Sequence, residues 1–265
     1  MIANILSIAG SDPSGGAGIQ ADLKAFAARK TYGMAVLTAL TAQNTQGVSG
    51  VHPVPASFVA DQIRAVFADI RVDAVKIGMI ASGEIADAIA DVLRDHANIP
   101  IVLDPVMVAK GGHSLLATDA IDALTRRLLP LATVITPNLP EAAALLGEVD
   151  ATDRLTMAQQ AERLRTLGPK AVLVKGGHLA LAESPDVLAE GDGIAWFEAD
   201  RVETRNTHGT GCTLSSAIAA ELGKGCSPQQ AIGTAKRYLA DAIARAHELD
   251  VGSGHGPVHH FHALW

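Results

Sequence analysis

Short apolar runs alternate along the chain with longer segments in which apolar residues recur every three or four positions. The runs cover residues 5–9, 35–40, 74–79, 101–106, 133–136 and 171–175, with a shorter one at 51–54. Such runs are typical of strands buried on both faces, and the recurring spacing is typical of amphipathic helices. The predicted helices cover residues 19–30, 58–70, 85–96, 120–129, 141–146, 157–167, 214–223 and 228–249. This alternation predicts an α/β fold, a three-layer α/β/α sandwich around a mostly parallel central sheet.

One late segment departs from the alternation. The apolar runs 187–189 and 194–197 flank a turn signal at Asp192-Gly193. Two short runs around such a turn predict an antiparallel hairpin.

The composition limits the class of protein before any motif is considered. The chain has 265 residues, 48% of them hydrophobic, which suits one domain over residues 1–265. Its net charge of −7 and the lack of a basic block argue against a nucleic-acid partner. Its two cysteines form no disulfide framework, no apolar run is long enough to cross a bilayer, and no Lys or Arg precedes the first apolar run. We therefore expect a cytoplasmic protein with no signal peptide and no membrane partner.

A glycine loop precedes the helix predicted over residues 214–223. It reads Thr207-His208-Gly209-Thr210-Gly211-Cys212-Thr213. The first turn of a helix exposes unpaired N–H groups and the positive end of its dipole, which together attract anions. Gly209 and Gly211 let the backbone approach such an anion closely, although two glycines alone also fit a plain loop with a small buried cysteine.

The longer motif resembles the anion-hole signature of the ribokinase-like kinases. Most of that superfamily has aspartate where this chain has Cys212. With cysteine at this position, the motif is similar to that of the hydroxymethylpyrimidine/phosphomethylpyrimidine kinases of thiamine synthesis. The resemblance implies a ribokinase-like fold, an anion hole formed by Gly209, Thr210, Gly211 and Cys212, and nucleotide contacts from Thr207, Gly209, Thr210 and Lys175.

Cys212 is the predicted general base of that resemblance. A free thiol is only about 3% ionised at pH 7, and a helix start can supply roughly the 2 kcal/mol that would lower its pKa to about 7. A loose phosphoryl-transfer transition state can also proceed with little base. A covalent thiol enzyme using His208 is a weaker alternative, because no further orienting group is evident.

A second glycine loop follows the first strand, at residues 10–18. It lacks the Lys-Ser/Thr of a Walker A loop, and no acidic residue stands where a dinucleotide fold needs one. Asp22, just beyond this loop, has two interpretations: a solvated first-turn acid, or a substrate ligand. The stretch Gly10-Ser11-Asp12 through Lys24 resembles the start of the pyrimidine kinases, which implies that Asp22 holds the heterocycle and that Gly10 lies beside it.

Polar or functional side chains stand near the ends of the predicted strands. They are Gln43, Met79, Asp104, Asn138 and Lys175. Parallel strands bring their carboxyl ends to one edge of the sheet, so we expect one shared cleft. The Gln43 amide could satisfy a local turn or pair with an aminopyrimidine edge, and the resemblance favours the second, with Met79 also lining the substrate site.

Two carboxylates in this set are candidates for Mg²⁺. Asp104 and Glu141 supply the oxygen ligands that Mg²⁺ prefers, directly or through water. Asn138 and Glu141 also have the spacing of a capping box, and the two interpretations are compatible. Lys175 could neutralise the transferred phosphate or simply extend into solvent.

By resemblance the chain is expected to be an ATP- and Mg²⁺-dependent kinase and a homodimer. Its substrates would be 4-amino-5-hydroxymethyl-2-methylpyrimidine and then the monophosphate of that alcohol. The alternatives are a pyridoxine/pyridoxal kinase of the same branch and a non-catalytic binder of the pyrimidine. The histidine-rich stretch 255–262 has no cysteine or acid beside it, and it resembles the family's usual ending, so we expect a structured tail rather than a metal site.

Overall fold

The computed structural model describes residues 1–107, 118–179 and 182–265. The strands are β1 (Asn4–Ala9), β2 (Tyr32–Leu37), β3 (Ala39–Asn44), β4 (Gly47–Pro53), β5 (Ala74–Ile77), β6 (Ile101–Leu103), β7 (Val134–Ile135), β8 (Ala171–Lys175), β9 (Asp186–Glu190) and β10 (Gly193–Phe197). The helices are α1 (Gly18–Ala28), α2 (Ala56–Asp69), α3 (Gly83–Leu93), α4 (Thr118–Ala123), α5 (Leu139–Leu146), α6 (Arg154–Arg165), α7 (Thr210–Gly223) and α8 (Pro228–Ala244). Every predicted helix is therefore confirmed, with ends that differ by a few residues.

The main sheet has eight strands in the order β10-β9-β8-β7-β6-β5-β1-β2. The six strands from β8 to β2 are parallel, while β9 is antiparallel to both β8 and β10. The predicted hairpin is confirmed, but Gly193 pairs with Glu190, so Gly191 and Asp192 form its turn. Gly191 has a φ of +56°, a left-handed conformation that glycine adopts at little cost.

Successive residues of the central strands point to opposite faces, and each face has its own apolar core. On one face Ile5 and Val102 pack with residues of α1, α7 and α8. On the other face Leu6 and Val75 pack with residues of α2 to α6. Because both faces are covered, the strands read as continuous apolar runs, and the predicted three-layer arrangement is confirmed.

The second predicted strand divides in two. The expected strand over residues 35–40 is interrupted at Thr38, whose buried hydroxyl donates to the backbone oxygen of Met79 over 2.6 Å. β2 ends before this residue, while β3 leaves the main sheet and pairs with β4 in a separate antiparallel sheet. This small sheet carries Gln43 to the carboxyl end of β1.

None of the helices within the described ranges is long and apolar enough to span a bilayer.

Candidate active site

A cavity of about 820 Å³ opens at the carboxyl ends of the parallel strands. Its volume lies in the range of small-molecule sites. The predicted site residues that line it are Gly10, Gln43, Met79, Asp104, Glu141, Lys175, Thr207, Gly209, Thr210, Gly211 and Cys212. The structure thus brings together every predicted site residue except Asp22.

The start of α7 forms one wall of this cavity. Gly209 is the N-cap residue, with a φ of +75°, and a Cβ there would collide with the backbone oxygen of Gly16. Only glycine satisfies both constraints without strain. Gly209 has no side chain that could accept from the first-turn N–H groups, which also lack intrahelical partners by their position. The helix start is therefore built to receive an anion from outside.

A lysine and two carboxylates lie directly below this helix start. A Cβ at Gly211 would stand 3.3 Å from Lys175 Nζ and 3.4 Å from Asp104 Oδ2. Lys175 Nζ is 2.9 Å from Asp104 Oδ1 and 3.8 Å from Glu141 Oε2. Burial opposes the lysine charge, but the two carboxylates outweigh it and raise the pKa of Lys175 above its usual range. The group therefore holds a permanent positive charge beside the helix start.

Glu141 has both of its predicted roles open to it. Its Oε2 accepts from the Asn138 backbone N–H over 2.8 Å, while Asn138 Oδ1 accepts from the Glu141 N–H over 2.9 Å, which completes the capping box. Burial raises the pKa of Glu141 to about 7, with Lys175 opposing the shift and Asp104 adding to it. A carboxyl group with this pKa sits near the point of half-ionisation at neutral pH, so a nearby cation would favour its charged form.

The predicted low pKa of Cys212 is wrong. The side chain is only partly exposed, and burial raises the pKa of Cys212 to about 11. Lys76 and the backbone N–H of Gly18 favour the thiolate, but Asp22 and Asp104 oppose it. The helix start was expected to dominate, and the expectation failed because it left out desolvation and two neighbouring negative charges. Cys212 is therefore a neutral thiol at pH 7.

Asp22 is neither a solvated acid nor a residue of the cavity wall. It is completely buried, and its carboxylate oxygens lie 2.8 and 2.9 Å from Lys76 Nζ. The hydroxyls of Ser7 and Ser216 also donate to it, over 2.6 and 2.7 Å. These four bonds hold the carboxylate below the cavity, outside its lining, and the expected contact of Asp22 with the substrate ring stays a prediction.

Lys76 is a site residue that sequence reasoning missed. It lines the cavity floor and is fully buried. Burial opposes its charge, but Asp22 more than compensates and raises the pKa of Lys76 above its usual range. The available signal was a lysine in the middle of the apolar run 74–79, where a charge needs a buried partner.

Asp12 and His208 form a second missed pair. Asp12 is 1% and His208 7% exposed, and Asp12 Oδ2 lies 2.7 Å from His208 Nε2. Asp12 also accepts from the N–H groups of Ser14, Gly16 and Ala17. Burial alone would raise its pKa, but the bonds from His208 and Ser14 hold the pKa of Asp12 well below its usual range. The pair links the loop before α1 to the loop before α7.

A third buried pair, Asp186 and Lys236, lines another part of the cavity. Lys236 Nζ is 2.7 Å from Asp186 Oδ2 and 2.8 Å from the Ser184 carbonyl oxygen. Burial raises the pKa of Asp186, with Lys236 opposing the shift. This pair ties α8 to β9 at the cavity rim.

The tail is structured, as expected, and supports the loop before α7. His208 N donates to Gly256 O over 3.0 Å, and Tyr238 donates its hydroxyl to His260 O over 2.8 Å. His260 Nε2 lies 3.0 Å from Thr213 Oγ1, whose own proton goes to Gly209 O. Burial lowers the pKa of His260 to about 3, so it is neutral and its Nε2–H donates to Thr213.

Residues 12–259 match the family model described as phosphomethylpyrimidine kinase. A hydroxymethylpyrimidine/phosphomethylpyrimidine kinase from Rhizobium meliloti is 55% identical over 265 residues, which is 100% of this chain and 99% of the relative.

Two solved structures have the same fold. A phosphomethylpyrimidine kinase from Clostridium difficile has a TM-score of 0.80 at 44% identity, covering 91% of this chain and 99% of its own. A pyridoxal kinase from Staphylococcus aureus in complex with AMP-PCP and pyridoxal has a TM-score of 0.89 at 34% identity, covering 100% of this chain and 96% of its own.

Proposed function

This chain belongs to the phosphomethylpyrimidine kinase family, and on that premise we propose that it phosphorylates 4-amino-5-hydroxymethyl-2-methylpyrimidine with ATP. A second transfer converts the monophosphate to the diphosphate. The observation that carries this proposal is the uncapped start of α7, which stands over Lys175 and Asp104 inside the cavity.

The first role of the site is to hold the transferred phosphoryl group. Phosphoryl transfer depends mainly on positioning and on stabilising charge spread over the equatorial oxygens. The backbone N–H groups of Gly211 and Cys212 supply fixed donors, and Lys175 adds a positive charge that burial does not remove. Because Cys212 starts as a neutral thiol, we assign the site little dependence on a general base.

The residues present also suit Mg²⁺. Asp104 and Glu141 offer carboxylate oxygens on one side of the cavity, and Mg²⁺ needs few protein ligands because it keeps several waters. Lys175 now bridges the two carboxylates, so it would share them with the ion. When bound, Mg²⁺ would neutralise charge on the nucleotide phosphates.

The substrate ring would lie at the opposite end of the cavity from Lys236. Gly10, Gln43 and Met79 line that end, where a Cβ at Gly10 would collide with the Met79 methyl group. Glycine there keeps the wall thin enough for a flat ring, and Gln43 offers a donor and an acceptor to its edge.

We further propose a homodimer that acts in the cytoplasm. The support is that Leu40 and Val51 on the small sheet and Phe58 on α2 are each more than 40% exposed, while both cysteines are free. Light scattering behind a sizing column tests the dimer, and a monomer at micromolar concentration would contradict it.

The kinase proposal is tested by measuring ADP release with ATP, Mg²⁺ and each candidate acceptor in turn. We expect turnover with the pyrimidine alcohol and with its monophosphate, and product masses that rise by one phosphate each time. Pyridoxal is the second candidate acceptor, because a pyridoxal kinase shares the fold over the whole chain. Preference for pyridoxal would replace the proposed substrate, and absence of ADP release with all three acceptors would favour a non-catalytic binder.

A further inference from the structure

Three side chains from distant parts of the chain meet at the substrate end of the cavity. His208 Nε2 is 2.7 Å from Asp12 Oδ2 and 3.4 Å from the Gln43 amide nitrogen Nε2. On its other side Gln43 Oε1 lies 3.4 Å from Thr41 Oγ1. Asp12 and His208 are almost completely buried, whereas Gln43 is half-buried and lines the cavity. Gln43 is therefore the member of the group that can contact a ligand.

The hydrogen bonds that Asp12 accepts indicate which ring nitrogen of His208 carries a hydrogen. Asp12 Oδ1 accepts from the Ser14 N–H and hydroxyl, and Oδ2 accepts from the Gly16 and Ala17 N–H groups. A carboxylate that accepts so many bonds is ionised and has no proton to give. The short contact at Oδ2 must then be donated by His208, so Nε2 carries a hydrogen.

That hydrogen fixes the orientation of the Gln43 amide. A protonated ring nitrogen has no lone pair in the ring plane, so an amide NH₂ facing it sets two donors against each other. At the other end, Thr41 Oγ1 donates its one hydrogen to Ser11 O over 2.9 Å, so it can only accept from Gln43. A half-turn of the amide removes both conflicts, because the NH₂ group then donates to Thr41 and the carbonyl oxygen faces the His208 Nε2–H. Asp12 at 2.7 Å is the main acceptor of that hydrogen, and the amide oxygen, about 3.4 Å away, is a second, weaker acceptor.

We propose that Asp12 and His208 are a positioning pair that locks the Gln43 amide in this orientation and thereby selects the ring. The inference rests on the proposed kinase function. The locked amide offers one lone pair and one N–H to the cavity in a fixed order. An aminopyrimidine edge, with an amine donor beside a ring-nitrogen acceptor, satisfies both groups. A pyridine ring has no amine beside its nitrogen and leaves the amide oxygen unpaired, which a site built for hydrogen bonds penalises.

The test compares His208→Phe with His208→Gln and with the exposed control His247→Phe. We expect His208→Phe to lower the kcat/KM ratio of pyrimidine alcohol over pyridoxal about tenfold, mainly through the pyrimidine KM, with the KM for ATP unchanged. His208→Gln, which can still donate an N–H, should recover most of the ratio. Equal losses for both acceptors would instead indicate a structural role and overturn the proposal.

A double-variant cycle separates action through Gln43 from any other route. In a Gln43→Met background, His208→Phe should change the acceptor ratio less than twofold, because the group that it positions is gone. A tenfold change in that background would overturn the proposal. ¹⁵N spectra of the folded wild type give a readout independent of the variants: His208, assigned by the signal that His208→Phe removes, should be protonated at Nε2. A neutral ring protonated only at Nδ1 would overturn the proposal.

Failure of the proposed function can be recognised separately. If the wild type released no ADP with the pyrimidine, the kinase assignment would fall. Dissociation constants of the pyrimidine alcohol and pyridoxal, measured by calorimetry without ATP on the same variants, would still test the positioning pair through the same ratio.

Discussion

The two glycine loops of the cavity resemble each other in sequence but differ in what meets their N–H groups. Both precede a helix whose N-cap residue, Ala17 or Gly209, has no side-chain acceptor. In the loop before α1, Asp12 accepts from three backbone N–H groups, and Ile19 N donates to Gly10 O. In the loop before α7 the charged groups beside the helix start are Lys175 and Asp104, and Asp104 Oδ1 is already paired with the lysine.

This difference suits the two loops to different tasks. In the loop before α1, backbone N–H groups already donate to the carboxylate of Asp12, so an added anion would have to compete with this side chain. The start of α7 instead presents the N–H groups of Gly211 and Cys212 beside a buried cation, which is the arrangement that we propose for anion binding. We therefore propose that the internal carboxylate of Asp12 distinguishes a ring-binding loop from a phosphate-binding loop.

The largest expected effect comes from Gly209→Ala, a substitution in the loop before α7. The new methyl group would need a left-handed backbone and would collide with Gly16 O, so the helix start must shift. Displacing one donor of an anion hole typically costs about 10²–10³ in kcat, and we expect a loss of that size in ADP release.

Gly225→Ala is the matched control for this variant. Gly225 has a φ of +89° just after the same helix, but nothing lies within 4 Å of an added Cβ. We expect a loss of roughly 1–2 kcal/mol in unfolding free energy and an unchanged kcat. An equal fall in kcat for both variants would mean that helix strain, rather than the anion hole, explains the first result.

The next effect comes from weakening the loop before α1 with Asp12→Asn. The substitution replaces charge-assisted bonds by neutral ones, and we expect the free energy of unfolding at pH 7 to fall by about 2–3 kcal/mol in urea titrations. The exposed Asp61→Asn, which lies in a surface ion pair with Arg64, should change it by less than about 0.5 kcal/mol.

The sign of the pH dependence sharpens this prediction. The pKa of Asp12 is lower in the folded protein than in the unfolded chain, so its contribution is complete above about pH 4 and is lost as pH falls further. The difference between wild type and Asp12→Asn should therefore be smaller at pH 3 than at pH 7. A difference that is constant between those pH values would contradict an ionised Asp12.

Features that depend on local sequence could be predicted, whereas features that depend on contacts between distant parts of the chain could not. Buried parallel strands produce continuous apolar runs, so the alternation of runs and helices was sufficient for the layers and for the edge at which the cavity opens. The glycine loop before α7 was predictable because its signal is local. The break at Thr38 was missed, because a hydroxyl that bonds the backbone oxygen of Met79, beyond the end of β5, leaves an apolar run unaltered.

The errors at the site concern partners far apart in sequence. Asp12 and His208 are 196 positions apart, and Asp22 and Lys76 are 54 apart. Spacing cannot reveal such pairs before the sheet order is known. The prediction of a low pKa for Cys212 failed mainly because of burial, and also because the charges that oppose its thiolate come from α1 and the residue after β6, far away in sequence.

Cys212 lies in the first turn of α7, near the Gly18 N–H at the start of α1. The pH dependence of its reactivity tests whether the helix start, or burial with the neighbouring charges, sets its pKa. In a Cys226→Ser background, the rate of alkylation by iodoacetamide should rise about tenfold per pH unit between pH 8 and pH 10, because a thiol with a pKa of about 11 is far from fully ionised there. The urea-unfolded protein, whose thiol has a pKa near 8.5, serves as the reference and should level off by about pH 9.5. A plateau by pH 9 in the folded protein would mean that the helix start dominates after all.

The smallest expected effect tests whether the stability of the loop before α1 depends on each hydrogen bond to Asp12. Ser14→Ala removes the 2.6 Å bond from the hydroxyl to Asp12 Oδ1 but keeps the backbone bond of 2.9 Å. We expect a loss of about 1 kcal/mol in unfolding free energy and a two- to fivefold rise in the pyrimidine KM, with the KM for ATP unchanged. The control is Ser49→Ala, whose hydroxyl donates to Ala42 O over 3.0 Å on the exposed small sheet and should leave both KM values unchanged. If the KM for ATP rose as much as the pyrimidine KM, the two loops would respond as one unit, and the division of tasks between them would have to be abandoned.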